Sequence, residues 1–135
     1  MSDDLEPREK ESLIDRVFAA FKQGAELNVS NDGKILPLLV LFFRKKGFLA
    51  IPIQGDFKTT ALAAQSAVRR LAPDAVYSVI DTLDPEEVLV TVETPNLRRT
   101  EVARVSRGEL GAFLSDWRVD PGRKSVLSGF YLHVN

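Results

Sequence analysis

The spacing of apolar residues near the N-terminus is that of one face of an amphipathic helix. Apolar side chains recur at the i, i+3, i+4, i+7 and i+8 positions, in Leu13, Ile14, Val17, Phe18 and Phe21. Pro7 suits the first turn of a helix and Gly24 suits its end, and the charged residues between them fall largely on the opposite face. The pattern therefore predicts a helix from about Pro7 to Gly24 that lies on a core.

Two apolar runs after this helix predict a β-hairpin. Turn residues at 31–33 precede a first run at 35–43, and a second run follows at 48–53. The basic segment 44–47 separates the two runs and forms the predicted tip. Because the first run is apolar at successive positions, we expect a strand that is covered on both faces. Pro37 and Pro52 then lie near strand ends or on an edge, where no ladder N–H is needed.

A second helix and three further strands are predicted in the middle of the chain. The helix runs to about Ala72, with either Thr59 or Thr60 as its N-cap and a stripe of small apolar residues for packing. Pro73 and Asp74 stop it. Runs with strand character follow at 75–82, 87–93 and 99–106, and their short connections predict a meander.

The last third of the chain completes the predicted fold. Leu110, Phe113, Leu114 and Trp117 share helical spacing and predict a short helix from about Gly108 to Trp117. Residues 131–134 are predicted to add a terminal strand. The order α-β-β-α-β-β-β-α-β predicts the α+β class, with an antiparallel or mixed sheet of about five to six strands, hairpin first, packed by two to three helices.

Composition favours one globular domain. The chain has 135 residues, of which 44% are hydrophobic and 27% charged, with a formal net charge of −1. This is the commonest domain size, so we expect a single domain over 1–135 in which residues 1–6 form a flexible tail. An N-terminus without an apolar signal segment and a cysteine-free chain indicate a cytoplasmic location, and no apolar run is long enough to span a membrane.

The same composition excludes several kinds of chemistry. Without cysteine there is no disulfide, no thiolate nucleophile and no cysteine-ligated metal, and one histidine cannot build a multi-histidine metal site. The single histidine is His133, and no serine of the chain lies in the sequence motif of a serine hydrolase that His133 could complete. We therefore predict no catalytic residue, no metal site and no cofactor.

One strand-to-helix junction has the chemistry of an anion site. Lys58, Thr59 and Thr60 combine a cation and two hydroxyls with the N–H groups at the start of a predicted helix. It is not a nucleotide-binding P-loop, because Phe57 and Pro52 stand where that motif needs glycine. The alternative is a threonine cap beside a solvated lysine.

Acidic residues at the turn after the third predicted strand could bind a hard cation. They are Asp81, Asp84, Glu86 and Glu87. Their spacing is not that of a calcium loop, and ordinary turn chemistry explains them equally well. A nuclease-like pairing of Asp81 with Glu93 or Glu101 lacks its usual lysine, because no lysine occurs between Lys58 and Lys124.

Basic residues near the fifth predicted strand could form a phosphate-facing surface. They are Arg98, Arg99, Arg104 and Arg107, with further basic residues at 44–46 and 69–70. Acidic residues alternate with them along the chain, so cross-strand charge pairing explains the pattern as well. Aromatic residues that could stack on bases are not interleaved with them.

Two functions remain open from the sequence. The leading hypothesis is a small non-catalytic binding or regulatory module that contacts a protein partner or its own copy, because an uncovered strand edge invites pairing. The alternative is binding of phosphate, nucleotide or nucleic acid through Lys58 to Thr60 or the arginines near Arg99. An enzyme is less favoured, because no strong catalytic motif is present, but it stays open, since a pocket assembled from distant residues leaves no linear motif.

Overall fold

A computed structural model describes residues 7–53 and 55–131 of the chain. Its helices are α1 (Pro7–Asp32) and α2 (Phe57–Leu71). Its strands are β1 (Leu38–Phe43), β2 (Gly47–Ala50), β3 (Ala75–Leu83), β4 (Glu86–Thr94), β5 (Leu97–Gly108), β6 (Gly111–Leu114) and β7 (Arg118–Val119). No helix within these residues is long and apolar enough to cross a membrane.

The strands form one antiparallel sheet in the order β2-β1-β3-β4-β5-β6, with β7 added beside β5. The α+β class and the antiparallel sheet packed by helices are confirmed. The described residues form seven strands, against the five to six predicted. The predicted hairpin β1–β2 occupies one end of the sheet, and the predicted meander β3–β4–β5 forms its middle.

Helix α1 covers one side of the sheet, which we call the α1 face. Alternate residues of the central strands, among them Tyr77 and Val90, pack against the apolar stripe of α1, including Phe18. The ring of Phe21 stacks on that of Tyr77 with centroids 4.9 Å apart, and the Tyr77 hydroxyl donates to the Ile14 carbonyl at 2.8 Å. These contacts fix α1 on the sheet.

Helix α2 and the C-terminal segment 120–131 cover the other side, which we call the α2 face. Ala64 and Ala67 on α2 are buried, and such small side chains allow the helix to approach the sheet closely. Leu127 and Phe130 extend the same core beyond the helix. The Ser78 hydroxyl donates to the Leu127 carbonyl at 2.9 Å, which fastens the C-terminal segment to β3.

The first helix is longer than the sequence pattern predicts. Ala25 and Val29 continue its buried stripe with exposed fractions of 2% and 1%, so burial outweighs the cost of Gly24 in the helix interior. The helix ends at Asp32 instead, and Gly33 follows it with a φ of +76°, which suits glycine, while its N–H donates to the Val29 carbonyl at 2.9 Å.

The predicted third helix at Gly108 to Trp117 is wrong. There β5 turns back into β6, and Gly111 has a φ of +122°, which other residues rarely adopt. Ala112 is buried whereas Leu110 is 92% exposed, so the apolar residues do not form a helix face. The predicted strand at 131–134 lies outside the described residues, except for Tyr131, which is in no strand.

Candidate protein interface

The outer edge of β2 presents unpaired backbone groups. Among the described residues β2 pairs with β1 alone. The Ile51 N–H donates to the Leu39 carbonyl at 2.8 Å, and inward and outward residues alternate along an antiparallel ladder. The N–H and C=O groups of Phe48 and Ala50 therefore point away from β1. They can accept another strand without disturbing the existing ladder.

Apolar side chains surround these backbone groups. Phe48 is 58% exposed and Leu49 is 44% exposed, and Ala50 is exposed as well. Phe48 lies on the α1 face opposite Phe42, whereas Leu49 lies on the α2 face opposite Leu41. We call the outward backbone groups of Phe48 and Ala50, with the side chains of residues 48–50, the β2 edge surface.

The β2 edge surface is held in a defined shape. The Phe48 ring contacts the rings of Phe42 and Phe21, with centroids 5.1 and 6.4 Å away. At the hairpin tip the backbone N–H of Arg44 donates to the Asp74 carboxylate at 2.7 Å. Natural edge strands are usually shielded by charged residues or proline, and none occurs within Gly47–Ala50. The apolar edge between Lys46 and Pro52 is therefore exposed and already ordered.

A second, shallower surface lies between α1 and β6. It is an open groove of about 410 Å³. Its lining residues are Gln23, Glu26, Leu27, Ser30, Phe113 and Leu114. The indole N–H of Trp117 donates to Glu26 at 2.7 Å at one side of it. The groove mixes polar and apolar groups and brings no reactive set of side chains together.

The predicted anion site has a different cap from the one expected. Asp56 caps α2, and its carboxylate accepts the Thr59 N–H at 2.7 Å, so neither Thr59 nor Thr60 is the N-cap. Hydrogen bonds from the backbone and side chain of Thr59 lower the pKa of Asp56. Thr60 is buried and its hydroxyl donates to the Asp56 carbonyl at 3.3 Å. Since a carboxylate already occupies this helix start, anion binding with Lys58 stays a prediction without support from the geometry.

The four predicted arginines do not converge on one surface. Strand alternation places Arg99 and Arg107 on the α1 face and Arg98 and Arg104 on the α2 face. Arg107 binds both oxygens of Glu86 at 2.9 and 2.6 Å. Arg99 donates to the Glu101 carboxylate at 3.0 Å. Two of the four cations are thus engaged in ion pairs within the chain.

The buried carboxylates of β4 and β5 have structural partners. Glu101 accepts a hydrogen bond from Lys22 of α1 at 2.9 Å in addition to that from Arg99. Glu93 accepts the N–H groups of Gly129 and Phe130 at 2.7 and 3.0 Å. Both carboxylates therefore join covering segments to the sheet, Glu101 on the α1 face and Glu93 on the α2 face.

Glu87 is the third buried carboxylate and is 2% exposed. It accepts hydrogen bonds from Arg118 at 3.1 Å and Arg123 at 2.8 Å. Sequence reasoning assigned no role to either arginine. No local signal identifies them, because they reach Glu87 from 31 and 36 positions along the chain.

The acidic residues do not assemble a metal or nuclease site. Asp81, whose pKa is raised by burial, lies on the α1 face, whereas Glu93 lies on the α2 face. Glu101 shares the α1 face with Asp81 but stands two strands away on β5, where it is paired with Lys22 and Arg99. No group of three or more His, Cys, Asp or Glu side chains within residues 7–53 and 55–131 is arranged to hold a metal ion. His133 lies outside the described residues.

Comparison of the chain with known protein families, with curated proteins and with solved structures finds no match.

Proposed function

We propose that the protein is a non-catalytic binding module that docks a protein partner through the β2 edge surface. One observation carries the proposal: the outward backbone groups of Phe48 and Ala50 lie beside apolar side chains that are exposed and already ordered. An extended segment that adds to such an edge gains main-chain hydrogen bonds, and its alternate side chains find apolar contacts. The proposed setting is the cytoplasm.

The partner that suits this surface is an extended apolar segment. Its side chains would meet Phe48 on one face of the sheet and Leu49 on the other, because neighbouring residues of a strand point to opposite faces. Binding of phosphate or nucleic acid has less support, because Asp56 occupies the helix start and the arginines are divided between two faces.

Site-specific photo-crosslinking tests the proposal. A benzophenone amino acid replaces Leu49, or Leu62 as a matched control, since Leu62 is 58% exposed but lies on α2. In extracts of native cells we expect a discrete protein adduct from position 49 and none from position 62. The same set of adducts from both positions, or none from either, would overturn the proposal.

A backbone variant identifies strand addition as the mode of binding. Ala50→Pro removes one outward N–H and leaves the bonds between β1 and β2 intact, since proline is tolerated on the open side of an edge strand. Ala50→Val keeps the N–H and is the control. We expect the adduct at position 49 to disappear in Ala50→Pro and to persist in Ala50→Val. Persistence in both variants would show that main-chain pairing is not used.

A further inference from the structure

We infer that the segment that pairs with the β2 edge surface is β2 of a second copy of this chain, aligned antiparallel about a twofold axis at Leu49. This inference rests on the proposed function and names its partner. The positions of the outward backbone groups support this symmetry. They lie at residues 48 and 50, which are symmetric about residue 49.

The twofold arrangement satisfies every outward group of the edge surface. Phe48 of each copy lies opposite the partner's Ala50, and each such pair exchanges two hydrogen bonds in an antiparallel ladder. A large ring then lies beside a small side chain on the α1 face, and the two copies of Leu49 meet on the α2 face. The next hydrogen-bonded residue pair would be Lys46 with the partner's Pro52. Because Pro52 has no N–H to donate, the ladder between the two copies does not extend beyond that pair.

Charge favours this alignment over a parallel one. In the antiparallel register Lys46 lies opposite the partner's Pro52, so the two cationic tips are roughly 20 Å apart along the strands. Each tip then lies beside the partner's uncharged residues Ile51 and Pro52. Parallel pairing would place the two lysine tips side by side and would repel the copies.

A charge swap at the symmetric position tests the inference. We expect sedimentation velocity to show a concentration-dependent dimer between about 10 µM and 1 mM, the range in which small interfaces assemble. Leu49→Lys and Leu49→Glu each place like charges opposite one another, so each variant alone should be monomeric. A mixture of the two variants should recover a heterodimer. Leu62→Lys, a change at a similarly exposed leucine of α2, should leave the dimer intact.

A single introduced cysteine tests the register, because the chain has none of its own. Residue 49 and its symmetry mate form a non-hydrogen-bonded pair with Cα atoms about 4.5 Å apart, which is within disulfide range. In a glutathione redox buffer, Leu49→Cys should form a disulfide dimer at least about tenfold faster than Leu62→Cys, because pairing raises the effective concentration.

The two proposals fail in different ways. Monomeric wild-type protein throughout this range, with equal disulfide rates for both cysteine variants, overturns the self-pairing inference. A discrete adduct with another protein from position 49 would then leave the proposed function intact. Loss of that adduct as well would remove both.

Discussion

At the scale of single residues, Glu87 is the clearest case of a buried charge that depends on distant partners. Burial raises the pKa of Glu87, but hydrogen bonds from Arg123 and Arg118 outweigh that effect and lower the pKa below its usual 4.5. The two arginines belong to the segment after β6, so the carboxylate ties this segment to β4. Removal of its charge should therefore loosen a long stretch of chain.

We predict that Glu87→Gln lowers the free energy of unfolding by about 2 kcal/mol, because each hydrogen bond between charged groups contributes about 1.5–3 kcal/mol and the arginines remain partly solvated. Urea denaturation at neutral pH measures this loss. Glu86→Gln is the matched control, since its ion pair with Arg107 lies at the surface and should matter less. Equal losses in both variants would contradict the argument.

The same carboxylate predicts a pH dependence. The pKa of Glu87 is lower in the folded state than in the unfolded state. Its contribution to the free energy of unfolding is therefore fully present above about pH 4.5 and is lost as the pH falls through the pKa of the folded state. The difference in unfolding free energy between wild type and Glu87→Gln should be constant near neutral pH and should narrow below about pH 4.5. Denaturation at a series of pH values measures it. A difference that widens in acid would reverse the sign and refute the assignment.

At the scale of elements, strong periodicity predicted most of the fold. The structure contains the helix predicted around Phe18, the predicted hairpin β1–β2 and the predicted meander β3–β4–β5. The sequence predicts a helix at 108–117 because four apolar residues there share helical spacing by coincidence. A window this short cannot separate the period of a helix from the period of a strand. The turn at 109–110 also lacks the Asn-Gly signal that marks two-residue hairpins.

The candidate interface could be predicted only in part. The apolar run at 48–53 was visible, but its position at the edge depends on β1 pairing with β3 on its other side. That pairing joins residues far apart in the chain, so no local pattern reports it. The division of the arginines between two faces follows from strand alternation, which becomes informative once a strand is recognised.

The hairpin at β6 supplies a prediction at this scale. Gly111→Ala should lower the free energy of unfolding by about 1–3 kcal/mol, because a φ of +122° strains any residue with a Cβ atom. Gly108→Ala is the control, since Gly108 faces Gly111 across the turn without a positive φ and has open space at its Cβ position. Thermal denaturation of both variants provides the comparison. If Gly108→Ala lowered the free energy of unfolding as much as Gly111→Ala, the positive φ of Gly111 would not be the cause of the destabilisation.

At the scale of the whole molecule, the two faces of the sheet share the same strands. Trp117 is the single tryptophan and contacts Glu26 of α1, so its fluorescence reports on the α1 face. Phe130 is 1% exposed and packs on the α2 face. A change at one face can therefore be observed from the other, which tests whether the chain unfolds as a single domain.

We predict that Phe130→Ala lowers the free energy of unfolding by about 3–5 kcal/mol, the usual cost of removing a buried ring. If the domain is cooperative, tryptophan fluorescence and far-UV circular dichroism should shift to the same lower urea midpoint. Val126→Ala is the control in the same segment, since Val126 is 59% exposed and should change little. The fluorescence midpoint could instead stay at the wild-type value while the dichroism midpoint falls. That result would show that the two faces of the sheet unfold independently and that the chain is not one cooperative unit.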